Sequence, residues 1–155
     1  MKHLKIGDIA PAFSVNNENG EKVTKEDFKG QKVAIYFYPK DNTPGCTAQA
    51  CNLTENYDAL KEQNIAIVGV SADDEKKHTK FIEKYSLPFP LLADTDKKMI
   101  TDYGVWGLKK FMGKEYDGIH RTTFLLNEEG VIVDIIEKPK TKAHAEEILE
   151  KFNQK

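Results

Sequence analysis

Residues 33–51, "VAIYFYPKDNTPGCTAQAC", decide the fold and contain both cysteines of this 155-residue chain. The run "VAIYFY" is β-branched or aromatic and ends at Pro39, which predicts a strand that is buried on both faces. After Pro44 apolar residues recur every three or four positions, which predicts a helix to about residue 63. A second buried run, "IAIVGV" at 65–70, then predicts a strand parallel to the first, so the three elements form a βαβ unit.

The remaining patterns place further strands and helices around this unit. In chain order we predict an N-terminal hairpin (12–15 with 22–24), a helix over 74–85, a short helix over 97–103, an antiparallel hairpin of "HRTTFLL" and "VIVDII" across 127–130, and a helix over 141–152. This order is that of a thioredoxin-like α/β fold, a central mixed sheet flanked by helices, with the N-terminal β-hairpin as an extension. With no repeat or linker, the chain is expected to form a single domain over residues 1–155.

Composition excludes several classes of partner. The chain has 23 basic and 25 acidic residues, interspersed rather than clustered, so nucleic acid and anionic membranes are not expected partners. The start "MKHLKIGD" lacks the apolar core of a signal peptide, and no segment has the length of a membrane span. We therefore expect a cytoplasmic protein, in which a stable structural disulfide is unusual and a transient catalytic one is not.

The first cysteine lies where an α/β sheet usually binds its ligand. Cys46 falls in the first turn of the helix after the central strand, and ligands bind at the carboxyl ends of parallel strands. With Thr43 as N-cap and Pro44 as the first helical residue, Cys46 is the third residue of the helix. Free backbone N–H groups and the helix dipole favour a thiolate there.

A distant arginine is the best candidate for a second positive charge. Arg121 begins the strand "HRTTFLL". If that strand runs antiparallel to the central strand, its first residues lie at the same sheet edge as Cys46. A guanidinium keeps its charge and can bond two atoms at once, here the thiolate and a substrate oxygen.

The spacing of the two cysteines prevents a disulfide in an intact helix. Cys51 follows Cys46 by five residues, which is about 140° of rotation and about 7.5 Å of rise, or roughly 8.6 Å between Cα atoms. A disulfide generally needs less than about 7 Å. The two sulfurs can join only if the first turns of the helix unwind, so we expect two local states.

Four segments of the sequence resemble those of a known family. "PKDNTPGCTAQAC", together with "GDIAPAFSV", "KFIEKYSLPFPLLADTDKKM" and "YGVWGLKKFMGKEYDGIHRTTFLLNEEG", is similar to the atypical two-cysteine peroxiredoxins of the bacterioferritin comigratory protein or PrxQ subfamily. The peroxiredoxin pattern of proline, threonine and cysteine with a distant arginine corresponds to Pro39, Thr43, Cys46 and Arg121.

The resemblance implies a thiol peroxidase acting on hydrogen peroxide and organic hydroperoxides. Cys46 would attack the peroxide and become a sulfenic acid, and Cys51 would condense with it to form the Cys46–Cys51 disulfide. Thioredoxin or a similar dithiol would reduce that disulfide. No metal or organic cofactor is required, and a monomer suffices because both cysteines lie in one chain.

The resemblance also implies a role for each residue of the pattern. Thr43 would accept a hydrogen bond from the peroxide, and Arg121 would stabilise charge on the reacting oxygens. Backbone N–H groups of Gly45 and Cys46 would hold the incoming oxygen, while Pro39 would shield the thiolate from water. The sequence leaves open how the Thr43 hydroxyl divides between helix capping and substrate.

The sequence departs from the subfamily after the second cysteine. Where relatives commonly carry Arg-Asp, this chain has Thr54 and Glu55. This difference leaves open how the helix is anchored beyond Cys51 and how easily it unwinds.

Other interpretations compete with this one. The cysteines could be small core residues, while a zinc site lacks a matching ligand pair. A general dithiol–disulfide oxidoreductase would typically have two residues between its cysteines rather than four, and a non-enzymatic redox sensor would form the same disulfide without fast turnover.

Residues outside the motif have predicted roles as well. His120 could act as a base, although a partly exposed strand residue is favoured, and the segment "LKKFMGK" is expected to be a solvated loop. We expect three histidines at the surface: His3, His78 and His144. For three large apolar residues we favour core or loop packing over a place at the substrate entrance: Trp106, Phe111 and Met112.

Overall fold

The predicted buried strand is the middle strand of the main sheet in the computed structural model, which describes residues 3–154. The strands are β1 Ser14–Asn16, β2 Lys22–Thr24, β3 Lys32–Phe37, β4 Ile65–Ser71, β5 Leu91–Ala93, β6 Trp106–Phe111, β7 Lys114–Ile119, β8 Thr122–Leu126 and β9 Ile132–Ile136. The helices are α1 Pro44–Glu55, α2 Tyr57–Glu62, α3 Glu75–Tyr85, α4 Lys98–Asp102 and α5 His144–Asn153, with a 3-10 turn at Lys25–Phe28.

The main sheet is mixed, with strand order β5-β4-β3-β8-β9. β3 pairs parallel with β4 and antiparallel with β8, and Phe37 lies opposite Thr122. The predicted βαβ unit and the antiparallel β8–β9 hairpin are both present, so the thioredoxin-like fold class is confirmed. The pairing also brings the start of β8 to the end of β3, as the prediction for Arg121 required.

Both faces of β3 are buried, as its sequence predicts. Tyr36 and Tyr38 point into a core cluster shared with Cys46 and with side chains of α1, α2, α3 and α5. Phe37 points to the opposite face, where it packs against Phe124 and side chains around α4. Helix α1 therefore lies directly over one face of the central strand.

The helix predicted over 44–63 is two helices rather than one. Asn56 leaves the helical conformation, with φ −109° and ψ 13°, and separates α1 from α2. Its side-chain amide donates to the Asn52 carbonyl at 2.9 Å, satisfying an acceptor at the helix end. The prediction missed this break because the apolar spacing continues across it.

Other boundaries shift by a few residues. α5 begins at His144 rather than at 141, and β1 begins at Ser14 rather than at 12. The short edge strand β5, parallel to β4, was not predicted because three residues carry little periodic signal. Within residues 3–154, no helix is both long and apolar enough to cross the hydrocarbon layer of a membrane.

The predicted solvated loop around "LKKFMGK" is instead the β6–β7 hairpin. Met112 and Gly113 form its turn, both with positive φ, as a two-residue type I′ turn requires. Phe111 and Met112 are exposed, with 64% and 86% of their surface accessible, so the prediction of core or loop packing is wrong for both. Trp106 is half-buried and packs against the core, as predicted.

Candidate active site

The structure brings Cys46 and Arg121 together. The Arg121 Nη2 atom donates to the Cys46 Sγ at 3.3 Å, although 75 residues separate them. Cys46 is buried and is the third residue of α1, as predicted, while Arg121 is half-buried one residue before β8. The sulfur thus contacts a cation, and its residue lies in the first turn of a helix, where backbone N–H groups lack helical partners and the dipole is positive.

A glutamine that the sequence analysis missed orients this arginine. Gln49 is fully buried, and its Oε1 accepts from Arg121 Nη1 at 2.6 Å. It follows Cys46 by three residues, so both side chains lie on the same face of α1. The signal in the sequence was a polar residue three positions after Cys46, on the same face of the predicted helix.

Gly45 provides the space that the guanidinium occupies. A Cβ atom at this position would lie 3.2 Å from Arg121 Nη2. Any larger residue would therefore push against the group that contacts the sulfur.

Thr43 occupies the N-cap position of α1, but its side chain does not cap the helix. Its hydroxyl instead donates to the Lys40 carbonyl at 3.0 Å. Because that bond uses the hydrogen, the oxygen lone pairs remain available to accept. The Thr43 side chain is therefore not used for capping, and its oxygen is able to accept a further hydrogen bond.

The loop that carries Pro39 and Thr43, residues 39–43, has a strained backbone. Pro39 is half-buried at its start, and Asn42 has φ 61°, in the left-handed region. The neighbouring Asp41 is buried and hydrogen-bonded through both its backbone and its side chain. We call residues 39–43 the catalytic loop, after the roles predicted for Pro39 and Thr43.

Cys51 is half-buried, and both cysteines are free thiols. Burial raises the pKa of Cys51, and the nearby Glu55 carboxylate raises it further. The residue that follows, Asn52, links α1 to the start of α5. Its Oδ1 accepts from Ala145 N at 2.7 Å, and its Nδ2 donates to the Lys142 carbonyl at 3.0 Å.

These contacts answer the question raised by the missing Arg-Asp pair. Asn52 also reaches the Glu146 carboxylate at 3.3 Å, and Thr54 turns its hydroxyl back to the Ala50 carbonyl at 2.8 Å. Neutral side chains therefore anchor the helix after Cys51 in this chain.

The β6–β7 hairpin places a second cation near the site. Burial lowers the pKa of Lys109, Arg121 lowers it further, and negative charge on Cys46 opposes both effects. Its Nζ donates to the Ile119 carbonyl at 3.0 Å. His120, the predicted alternative base, is half-buried, and its Nε2 lies 3.0 Å from the Leu108 carbonyl.

Two of the three histidines predicted at the surface are buried. His78 and His144 have no accessible surface, whereas His3 is exposed. The prediction failed because both buried rings have polar partners supplied by distant parts of the chain: Asp41 and Leu92 for His78, and Thr123 for His144.

A cavity of about 820 Å³ between β1, α3 and α4 contains none of the predicted site residues.

Comparison with known proteins identifies the family. Residues 6–135 match the AhpC/TSA family. This chain belongs to that family. Peroxiredoxin Bcp of Escherichia coli strain K12 is 48% identical over 149 residues, which is 96% of each chain. Peroxiredoxin Bcp of Bacillus subtilis strain 168 is 44% identical, over 95% of this chain and 94% of the relative.

Solved structures agree with these relatives. A Xylella fastidiosa PrxQ mutant superposes with a TM-score of 0.93 at 30% identity, over 99% of this chain and 98% of that one. The bacterioferritin comigratory protein of Xanthomonas campestris gives 0.88 at 31% identity, with coverage of 99% and 98%. The resemblance to Bcp and PrxQ peroxiredoxins is confirmed, and thiol-dependent peroxide reduction is the activity of this class.

Proposed function

We propose that this peroxiredoxin reduces hydroperoxides through a Cys46 sulfenic acid and an intramolecular Cys46–Cys51 disulfide. The observation that carries the proposal is the 3.3 Å contact of Arg121 with the Cys46 sulfur at a helix start. That contact favours a thiolate at the position where the peroxide would be held.

In the first step, the Cys46 thiolate attacks the terminal oxygen of the hydroperoxide. The S–O bond forms, the O–O bond breaks, and the alkoxide or hydroxide that leaves takes a proton to become alcohol or water. The Thr43 oxygen accepts a hydrogen bond from the peroxide, and Arg121 stabilises the charge on the departing oxygen. The N–H groups of Gly45 and Cys46 bind the oxygen under attack, and Pro39 limits access of water.

In the second step, the Cys51 sulfur attacks the sulfenic sulfur and releases water, forming the disulfide. The intact α1 holds the two Cα atoms roughly 8.6 Å apart, so the helix must unwind before the sulfurs meet. A dithiol, which we propose to be thioredoxin or a similar protein, then supplies the two electrons that restore both thiols.

The substrate class includes organic hydroperoxides as well as hydrogen peroxide. The bacterioferritin comigratory protein of Xanthomonas campestris has alkyl peroxide reduction activity, and a relative of this similarity supports the same class here. We further propose that the chain works as a monomer, because both reacting cysteines belong to one chain. We also propose that it is a single-domain cytoplasmic protein, and that the thiol chemistry needs no metal or organic cofactor.

A steady-state assay with purified thioredoxin, its reductase and several hydroperoxides tests this proposal. Turnover should require peroxide, and the Cys46→Ser variant should have no activity. The Cys51→Ser variant should be oxidised once, stall, and carry a sulfenic acid that dimedone traps.

Three results would contradict the proposal. Consumption of reduced thioredoxin without peroxide would indicate a general disulfide oxidoreductase. Oxidation at the rate of an ordinary free cysteine would indicate a redox sensor. Unimpaired recycling of Cys51→Ser would mean that another thiol resolves Cys46.

A further inference from the structure

A buried polar cluster lies behind the catalytic loop. His78 of α3 is fully buried, and its Nδ1 lies 2.6 Å from Asp41 Oδ2. The other oxygen of Asp41 accepts from the Tyr38 hydroxyl at 2.5 Å. On the far side, His78 Nε2 lies 2.9 Å from the Leu92 carbonyl of β5. One histidine therefore connects the loop to the edge strand of the sheet.

The backbone of the loop is held by the same cluster. The Asp41 amide donates to Asp73 Oδ2 at 2.8 Å, and the Ser71 hydroxyl donates to the same oxygen at 2.8 Å. Asp41 thus has its backbone held by Asp73 and its carboxylate held by Tyr38 and by His78 of α3. Such contacts can hold the adjacent Asn42 in its left-handed conformation, which costs about 1–3 kcal/mol when unsupported.

The partners determine the protonation of the ring. The Leu92 carbonyl can only accept, so His78 Nε2 must carry hydrogen. At Nδ1 a second hydrogen makes an imidazolium–carboxylate pair with Asp41. A neutral ring would place its Nδ1 lone pair 2.6 Å from a carboxylate oxygen, which is repulsive. The geometry therefore favours the imidazolium–carboxylate pair.

We propose that His78 is a positioning residue which, through Asp41, holds the catalytic loop so that Thr43 and Pro39 meet the peroxide in the reactive geometry. The inference rests on the proposed function, because it assigns a purpose to the shape of the loop in peroxide attack. A displacement of about 1 Å in a positioning group can lower a rate about 100-fold, so loss of this contact should affect the first step strongly.

Two substitutions separate the contacts of the ring. In His78→Asn the side-chain amide replaces Nδ1 and can still donate to Asp41. In His78→Gln the amide replaces Nε2, reaches toward Leu92 and leaves Asp41 without its partner. His144→Gln is the matched control, because His144 is equally buried and bonds to Thr123 and Glu147 rather than to the loop.

The measurement is the second-order rate constant for oxidation of the reduced, full-length protein, from competition with a haem peroxidase for hydrogen peroxide. It is taken across pH to its plateau, with circular dichroism to confirm folding and thermal unfolding to record stability. We expect the plateau of His78→Gln to fall about 10- to 100-fold, and those of His78→Asn and His144→Gln to stay within about threefold of the parent.

Several outcomes would overturn the inference. A folded His78→Gln with the parental plateau would mean that the pair only stabilises the fold. Equal losses in His78→Gln and His144→Gln would point to a general effect of losing a buried ring, and equal losses in both His78 variants would remove the role of Asp41. A parent protein as slow as free cysteine would refute the proposed function itself, which is a separate result.

Discussion

Replacing Asn52 by alanine should speed disulfide formation without changing peroxide attack. Asn52 directly follows Cys51, and its side chain fixes α1 to the start of α5 through the Ala145 amide and the Lys142 carbonyl. The oxidised state needs an unwound helix, in which these bonds cannot persist. Their loss therefore destabilises the folded helix and leaves the unwound one unaffected.

The structure limits the size of the effect. Three side-chain bonds are lost, at 2.7, 3.0 and 3.3 Å, and the two longer ones are exposed. A typical hydrogen bond contributes about 0.5–1.5 kcal/mol to stability, and solvent lowers the contribution of the two exposed bonds. We therefore expect the folded helix to lose about 1–2 kcal/mol of stability in total. The population of the unwound helix should then rise about 5- to 30-fold.

Rapid mixing of the reduced protein with peroxide, followed by acid quench and mass spectrometry, resolves the two steps. Appearance of the sulfenic acid should keep its parental rate in Asn52→Ala, because Asn52 does not contact Cys46 or the loop. Appearance of the disulfide should accelerate by up to the same 5- to 30-fold, provided that unwinding limits it.

Asn16→Ala is the matched control. Asn16 also bridges two elements through its side chain, from β1 to Glu75 of α3, and this hydrogen bond does not involve α1. If Asn52→Ala lowers thermal stability and yet forms the disulfide at the parental rate, unwinding stops before residue 52 and the reasoning is wrong. If Asn16→Ala accelerates the disulfide as much, the effect is not specific to α1.

Further expectations concern the resolving thiol, the arginine pocket and the buried histidines. Glu55→Gln should lower the pKa of Cys51, so the pH profile of disulfide formation in the same quench experiment should move to lower pH. Gly45→Ala adds a Cβ 3.2 Å from the active-site guanidinium and should lower the oxidation rate constant about tenfold, measured by peroxidase competition. Burial lowers the pKa of His78, but the Asp41 carboxylate more than offsets this effect, so the pKa is raised overall. The charged ring therefore stabilises the fold below about pH 6.5, and this stabilisation is lost as pH rises. Burial lowers the pKa of His144 despite a nearby carboxylate, so its effect is present above about pH 6.5 and is lost as pH falls. In urea unfolding, the destabilisation by His78→Gln should therefore shrink toward high pH and that by His144→Gln toward low pH, and parallel slopes would contradict both assignments.

The sequence predicted the part of the site that depends on strand order and helix position. A buried strand, a helix start and a parallel strand place Cys46 at the sheet edge, and antiparallel pairing of β8 brings Arg121 there. These elements carry strong periodic signals, and Cys46 and Arg121 lie at their ends. The position of Cys46 and its contact with Arg121 therefore followed from local patterns plus one pairing.

Long-range polar contacts were not predictable in the same way. His78 stands among lysines and a threonine on α3, and no local signal shows that its ring points inward to Asp41, 37 residues earlier. The β6–β7 hairpin was hidden for a different reason. Its turn uses Met112 rather than asparagine or aspartate before Gly113, so the usual type I′ signal is absent.

The contacts around the site divide into a rigid part and a releasable part. The catalytic loop is held by the contact between the fully buried His78 and Asp41. Separating these two groups would leave an uncompensated buried charge at a cost of about 3–5 kcal/mol. Helix α1 buries only four side chains, one of them Leu53 and the others smaller or polar, and its anchor at Asn52 is largely exposed. Glycine, threonine and asparagine within α1 also disfavour an isolated helix. Unwinding should therefore begin in α1 and spare the loop. Thr43 then keeps its place while Cys46 moves to Cys51, and Thr43 is ready to bind peroxide again once the helix re-forms.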